Sequence, residues 1–215
     1  FRDLSIPEDI WPDLNQLEES KDPYDSLTLH MLVYNYDINQ KKIKNSNINL
    51  FLKSLVYNKN FRELRSYYYS ILNDLECFPV SRSKGESIVS FDDTWNAHRA
   101  YGGDRKHEGT DLMAKENIRG KYEIISMTEG IVEKMGWLEK GGYRIGIRSE
   151  SGGYFYYAHL DSYAEELKVG DFVKAGQFLG YMGDSGYGPE GTVGKFNVHL
   201  HMGIYVDSPF GELSV

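Results

Sequence analysis

The 215-residue sequence contains one cysteine, Cys77, so an internal disulfide and a cysteine-based zinc site are both excluded. It lacks any run of 18 apolar residues, and we therefore expect no membrane-spanning helix. Basic residues are also few, with 24 against 32 acidic residues and a net charge of -8. This balance argues against binding to nucleic acid, which requires a basic face. Because the sequence starts at Phe1, without an initiator methionine or a signal peptide, it is compatible with a chain that has lost an N-terminal signal or anchor.

Glycine is almost missing from the first part of the chain, where only Gly85 of the 22 glycines precedes residue 100. Glycine destabilises helix interiors and is common in turns and bulges. The distribution therefore predicts an α+β chain with a small helical domain at residues 1–79, of unassigned role, and a mainly antiparallel β-sheet domain at residues 80–215. The break is placed after Phe78-Pro79, where proline ends the last predicted helix.

Apolar spacing in the first part predicts helices over residues 13–20, 26–37, 47–56 and 60–76. In the last of these, Asn60 is the predicted N-cap and apolar residues recur three and four positions apart. His30 lies in an apolar helix and is interpreted as structural. We expect no catalytic chemistry before residue 80.

Short strands with closely spaced turn signals are predicted from Val80 onward, over residues 87–91, 111–114, 122–126, 130–135, 143–149, 154–159, 172–173, 178–181 and 197–205. Many short strands without long intervening helices indicate an antiparallel sheet, sandwich or barrel-like fold. Residues 183–194 contain five glycines and a proline, and we expect a loop that leads into the last strand.

That last strand alternates in a way that points to a site. Four apolar side chains fall on one face, and four others fall on the opposite face, namely His199, His201, Gly203 and Tyr205. Packing gives no reason to place two imidazoles side by side on the face that lies away from the core. A functional site is the favoured interpretation, and a solvated face that carries two histidines is the alternative.

Three further segments contain histidine. His107 and Asp111 lie four residues apart in a glycine-containing segment, and with one histidine of the His199/His201 pair they would complete the three protein ligands of a catalytic zinc site. His159 ends a tyrosine-rich strand, in which Phe155 and Tyr157 are predicted to share its face; it is either a cap or a residue that accepts a proton or stabilises charge. His98 has no companion at ligand spacing and is interpreted as structural or as a support to the site.

Taken together, these segments resemble the lysostaphin-type, LytM-like zinc endopeptidases that cut peptidoglycan peptides. The resemblance covers about residues 86–206, in matching order and approximate spacing, and residues 1–78 lie outside it. The segments that carry it are His107-Glu108-Gly109-Thr110-Asp111, Tyr157-Ala158-His159-Leu160, residues 169–180, Gly183-Asp184-Ser185-Gly186 and His199-Leu200-His201-Met202-Gly203.

The resemblance implies a compact antiparallel sheet of the duplicated hybrid motif type. It implies that His107, Asp111 and His201 hold zinc, and that His159 and His199 are catalytic histidines beside a metal-activated water. It also implies an extracytoplasmic bacterial enzyme, secreted or associated with the cell wall, that hydrolyses peptide stems or cross-bridges of peptidoglycan. All five positions carry the expected residue type.

Two other functions stay open at this point. The first is a catalytically silent domain of the same fold that binds cell wall or a partner protein. The second is a zinc peptidase that acts on other exported peptides. The sequence does not specify the bond that is cut, the oligomeric state, or which catalytic histidine is the base.

Overall fold

A computed structural model describes residues 22–36, 54–81, 88–101 and 103–215. The chain divides into two compact units, Phe1–Asn73 and Asp74–Val215. The sequence placed the corresponding boundary after residue 79. The predicted helix over residues 13–20 and most of the one over residues 47–56 lie outside the described residues.

The described part of the first unit contains two complete helices, α1 (Pro23–Val33) and α2 (Lys59–Leu72), and residues 54–55 are also helical. Asp22 caps α1 by accepting a hydrogen bond from the backbone N–H of Tyr24. Asn58 caps α2 by accepting from the N–H groups of residues 60 and 61, so the prediction of Asn60 as the cap was wrong. The helix begins one residue earlier than predicted because the Asn58 side chain satisfies its free N–H groups.

These two helices bury a small apolar cluster centred on Leu29 and Phe61. Arg65 of α2 forms ion pairs with Asp22 and, at 3.5 Å, with Asp25 at the start of α1. His30 is buried in α1, which agrees with its interpretation as a structural residue. No helix in the described ranges is both long and apolar enough to span a membrane.

The second unit is built on an antiparallel sheet, as predicted. Its strands are β1 (Val89–Ser90), β2 (His98–Arg99), β3 (Arg105–Lys106), β4 (Thr110–Ala114), β5 (Glu123–Ile125), β6 (Gly130–Leu138), β7 (Gly142–Arg148), β8 (Tyr154–Tyr163), β9 (Phe172–Val173), β10 (Phe178–Met182), β11 (His199–Ser208) and β12 (Gly211–Ser214). The strand order in the sheet is β1-β4-β11-β8-β7-β6-β9, while β10 pairs with β5 and β8, and β12 pairs with β11. A separate hairpin joins β2 and β3. The short strands β2, β3 and β12 were not predicted.

One face of the central strands forms the core. Alternate side chains of β7, β8 and β11 are fully buried there, including Ile145, Ile147, Phe155, Tyr157 and Leu200. Because side chains alternate along a strand, the intervening residues of the same three strands lie on the opposite face. That second face carries the candidate site.

Tyr157 shows how the core satisfies its polar atoms. Its ring is fully buried, and its hydroxyl accepts a hydrogen bond from the backbone N–H of Met127 at 2.8 Å. A buried N–H group without a partner is costly.

We expect Tyr157→Phe to lower the free energy of unfolding by about 1–3 kcal/mol, because the N–H group of Met127 loses its acceptor inside the core. Urea unfolding measures this, with Tyr181→Phe as the matched control on a half-buried tyrosine of β10. Equal free energies of unfolding in the two variants would contradict the proposed contribution of the Tyr157 hydroxyl to stability.

Candidate active site

Strand β11 lies between β4 and β8, and this order brings distant parts of the chain together. His201 is paired with Asp111 of β4 on one side and with Ala158 of β8 on the other. Neighbouring strands are about 4.8 Å apart, so side chains on the same face in one row are in contact. His107 lies three residues before the start of β4, and its side chain contacts those of Asp111 and His201.

Three of the predicted site residues form a tight triangle of donor atoms. His107 Nε2 lies 2.8 Å from His201 Nδ1, and Asp111 Oδ1 lies 3.1 Å from the first and 3.0 Å from the second. In a tetrahedral zinc site the ligand atoms are roughly 3.3 Å apart. The group therefore fits one metal ion, and it is a set of His, Asp and His side chains whose donor atoms can share an ion.

One of the two contacts of His107 Nδ1 matches the tautomer that such an ion requires. This atom lies 3.0 Å from the carbonyl oxygen of Thr94 and 2.8 Å from Arg99 Nη2. The carbonyl accepts a hydrogen bond from Nδ1 when Nδ1 carries the proton, whereas Arg99 donates to Nδ1 when Nδ1 is unprotonated. In the first tautomer, Nε2 is unprotonated and directs its lone pair at the triangle.

Arg99 supports the carboxylate of the triangle, and no pattern in the sequence pointed to this residue. Its Nη2 donates to Asp111 Oδ2 at 2.6 Å, which leaves Oδ1 directed at the two histidines. Burial alone would raise the pKa of the Asp111 carboxyl, but hydrogen bonds to His107 and His201 outweigh burial and hold it far below its usual range. Asp111 is therefore ionised, which is the form in which a carboxylate can bind a metal ion.

The two other predicted site histidines lie beside this triangle. The rings of His159 and His199 are 4.7 Å apart between centroids, and His199 Nε2 is 3.7 Å from Asp111 Oδ1. Each ring is held by its Nδ1, which lies 2.8 Å from the Ser185 carbonyl oxygen in His159 and 2.7 Å from the Asn197 carbonyl oxygen in His199. With protons on Nδ1, both rings present an unprotonated Nε2 to the groove.

Burial lowers the pKa of both rings. The pKa of His159 lies well below its ordinary value, because burial and the neighbouring His199 both disfavour the charged form. The pKa of His199 is also lowered by burial. Both are neutral at neutral pH and can accept a proton there.

The position of His159 corrects one expectation. Phe155 and Tyr157 point into the core, but His159 lies among the groove residues instead of sharing their face. The cause is a backbone irregularity, since His159 has φ of 63° and its N–H donates to the Gly141 carbonyl. This conformation is unfavourable for a residue with a side chain, and it reverses the alternation at that point.

The groove around these residues has a volume of about 350 Å³. Its walls include four tyrosines, of which the sequence placed only Tyr205 on the face of the site, and several basic residues. They are Tyr154, Tyr156, Tyr187, Tyr205, Arg105, Lys134, Lys140 and Arg144. His98 is outside it, largely exposed and paired with Asp104 at 2.9 Å.

Gly109 is required for the close approach of β4 to β11. A Cβ atom at this position would lie 2.4 Å from the Met202 carbonyl oxygen and 3.0 Å from the His201 ring. Position 109, which lies between His107 and Asp111 of the triangle, therefore accommodates only glycine.

We expect Gly109→Ala to weaken metal binding at least about 10-fold, because the methyl group displaces the His201 ring from the triangle. A competition titration with zinc measures this. Gly103→Ala is the control, since Gly103 also has a positive φ but has nothing within 4 Å of a Cβ atom. Equal zinc affinity in the two variants would contradict the proposed packing constraint.

Comparison with known proteins identifies the family. The profile of peptidase family M23 matches residues 105–210. The L-Ala–D-Glu endopeptidase of Bacillus subtilis (strain 168) is 47% identical over 125 residues, which are 58% of this chain and 37% of that protein. Lysostaphin of Staphylococcus simulans is 39% identical over 83 residues, 38% of this chain and 16% of that protein. The chain thus spans well under half the length of these curated relatives.

A solved structure extends the similarity over more of the molecule. It is a protein of Ruminococcus gnavus assigned as a glycyl-glycine endopeptidase LytM, with 44% sequence identity and a TM-score of 0.79. The alignment covers 100% of this chain and 86% of that one. The resemblance seen in the sequence motifs is confirmed, and this chain belongs to peptidase family M23, among its LytM-type members.

Proposed function

We propose that this protein is a zinc-dependent endopeptidase that hydrolyses peptide bonds of bacterial peptidoglycan. The observation that carries the proposal is the triangle of His107, Asp111 and His201 beside two neutral histidines, within one groove. Membership of a peptidase family and relatives named as endopeptidases support it.

The proposed ligands are His107 Nε2, Asp111 Oδ1 and His201 Nδ1. Two nitrogens and one carboxylate oxygen are donors that zinc accepts in catalytic sites with an open fourth position. The same donors also suit non-haem iron, so metal analysis of the purified protein distinguishes the two. When bound, zinc polarises a carbonyl and lowers the pKa of a water molecule toward about 7.

His159 and His199 are proposed to transfer the proton. Each offers an Nε2 to the groove and is fixed by a backbone carbonyl, so neither ring must reorient before it accepts a proton from the attacking water. After proton uptake the same nitrogen can donate to the leaving amine. The second imidazole can stabilise charge that develops on the scissile carbonyl oxygen only when its Nε2 also carries a proton, because an oxyanion needs a hydrogen-bond donor.

The substrate proposal follows the relatives. One is named for an L-Ala–D-Glu bond and another for a glycyl-glycine bond, so a stem peptide and a cross-bridge are the two candidates. Because peptidoglycan lies outside the cytoplasmic membrane, we propose that the protein acts in an extracytoplasmic location. A wall-binding domain without turnover is the competing function, and a complete set of ligands and bases argues against it.

We expect alanine variants to fall into two groups. His107→Ala and Asp111→Ala lose zinc and activity together, because each removes a proposed ligand. His159→Ala and His199→Ala keep zinc at one ion per chain and lower kcat by about 10²- to 10⁴-fold, because each removes a proton-transfer group.

Zinc content and release of soluble fragments from purified peptidoglycan are measured on the same samples. His98→Ala is the control, since it removes an exposed histidine outside the groove. Unchanged wall cleavage in His199→Ala or Asp111→Ala would refute the site, and full zinc occupancy without cleavage of any wall preparation would favour the binding function.

We also propose that the second unit contains the whole catalytic machinery. All five proposed site residues lie between His107 and His201, and Leu75 and Phe78 pack against the core of the same unit. Catalysis and metal binding therefore require no residue of the first unit, whose proposed role is to control access or location.

A chain that begins at Asp74 is expected to bind zinc with unchanged affinity and to cleave a soluble peptide at the full rate. Cleavage of the soluble peptide and of intact wall is measured for both this shortened chain and the complete chain. A slower or less selective reaction on wall alone would support the controlling role, whereas identical behaviour on both substrates would argue against it.

A further inference from the structure

Arg144 is a groove residue whose charge has no counterpart among the described residues. It lies on β7 between Tyr143 and the buried Ile145, and it lines the groove. Its Nη1 is buried and makes no hydrogen bond, and no ion pair or other interaction with a carboxylate involves Arg144 within the described ranges. Burial of an unpaired cation is costly, so such a group usually serves a ligand of opposite charge.

The surroundings hold Arg144 in place without neutralising it. The Tyr163 hydroxyl accepts from the Arg144 N–H at 3.1 Å and donates to its carbonyl at 3.3 Å, which fixes the backbone. The neighbouring phenols stay protonated, because burial raises the pKa of Tyr154 to about 12 and that of Tyr156 further still. The guanidinium therefore lies among neutral hydroxyls.

The lining of the groove as a whole also carries a positive charge. Its lining contains five basic residues and three acidic ones, Glu108, Asp111 and Glu212, although the whole chain carries a net charge of -8. Arg99 pairs with Asp111, and Lys134 lies 3.9 Å from Glu212, so these two acidic residues offset two of the basic ones. The remaining charged residues of the lining are Arg105, Lys140 and Arg144 against Glu108, and their summed charge is positive.

The register places Arg144 near the proposed metal site. In the β7–β8 pairing it falls between the partners of Leu160 and Tyr157, and so faces the Ala158–His159 segment. Ala158 is paired in turn with His201. Two strand spacings put the Cα atoms of Arg144 and His201 about 10 Å apart, a distance that one extended arginine side chain and one or two peptide residues span.

We infer that Arg144 forms a carboxylate subsite, and that the groove selects a peptide with an acidic group within one or two residues of the scissile bond. The inference rests on the proposed function and deepens it, because a subsite of this kind favours an acidic stem peptide over uncharged oligoglycine. Arginine binds carboxylates through two parallel hydrogen bonds, so it supplies geometry as well as charge.

The test compares N-acetyl-L-Ala–γ-D-Glu–L-Lys with a counterpart in which every carboxylate is a carboxamide. The zinc-loaded wild-type protein is expected to prefer the carboxylate peptide by about 10- to 100-fold in kcat/KM. Arg144→Gln is expected to lose this preference and to treat both peptides alike. Arg144→Lys keeps the charge without the paired geometry and retains part of the preference, which also separates the effect from misfolding.

Lys121→Gln is the control for net charge, since Lys121 is paired with Glu116 away from the groove. It is expected to keep the full preference. Binding of both peptides is measured by calorimetry on the same zinc-loaded proteins, so the comparison does not depend on turnover. Loss of the preference in Arg144→Gln supports the subsite, and equal wild-type binding or an unchanged preference in Arg144→Gln overturns it. If no peptide or wall is cleaved, the proposed function fails, and the binding comparison alone decides the subsite.

Discussion

The site depends on the antiparallel pairing of β11 with β4. This register sets His201 opposite Asp111, and it joins residues 90 positions apart in the chain. A shift by one residue would turn His201 into the core and Leu200 into the groove. The apolar face of β11 prevents such a shift, because Leu200 and Val206 are almost completely buried.

The same pairing brings the donor atoms of His107, Asp111 and His201 close together, so that they can share one metal ion. Two imidazole nitrogens and a carboxylate oxygen face one another at about the separation that one metal ion requires. Backbone carbonyls and Arg99 hold the outer atoms of these side chains. The cluster is therefore preorganised before any ligand binds, and the two further histidines are fixed in the same way.

The parts of this structure that follow from local patterns were predictable from the sequence. Strict alternation in β11 predicted both the strand and the shared face of His199 and His201, and the glycine distribution predicted where strands replace helices. The helical first part is supported by α1 and α2 within the described residues, while a helical domain over residues 1–79 stays a prediction. The metal and catalytic roles of the five residues also stay predictions.

Other features were not readable because they arise from tertiary contacts. The left-handed conformation of His159 depends on its bond to Gly141, and without it alternation places the ring in the core. Arg99 and Arg144 carry no local signal, because the role of a basic residue depends on the residues that the fold brings into contact with it. The cap of α2 was missed by two residues because Asn58 and Asn60 offer the same side chain.

The central claim is that His107, Asp111 and His201 share one zinc ion. Anomalous diffraction on crystals of the protein, recorded on both sides of the zinc absorption edge, tests it most directly. The account predicts one zinc peak per chain, within about 2.0–2.3 Å of His107 Nε2, Asp111 Oδ1 and His201 Nδ1. A zinc peak at other residues, a signal at the iron edge instead, or no peak at this triangle in zinc-supplemented crystals would contradict it.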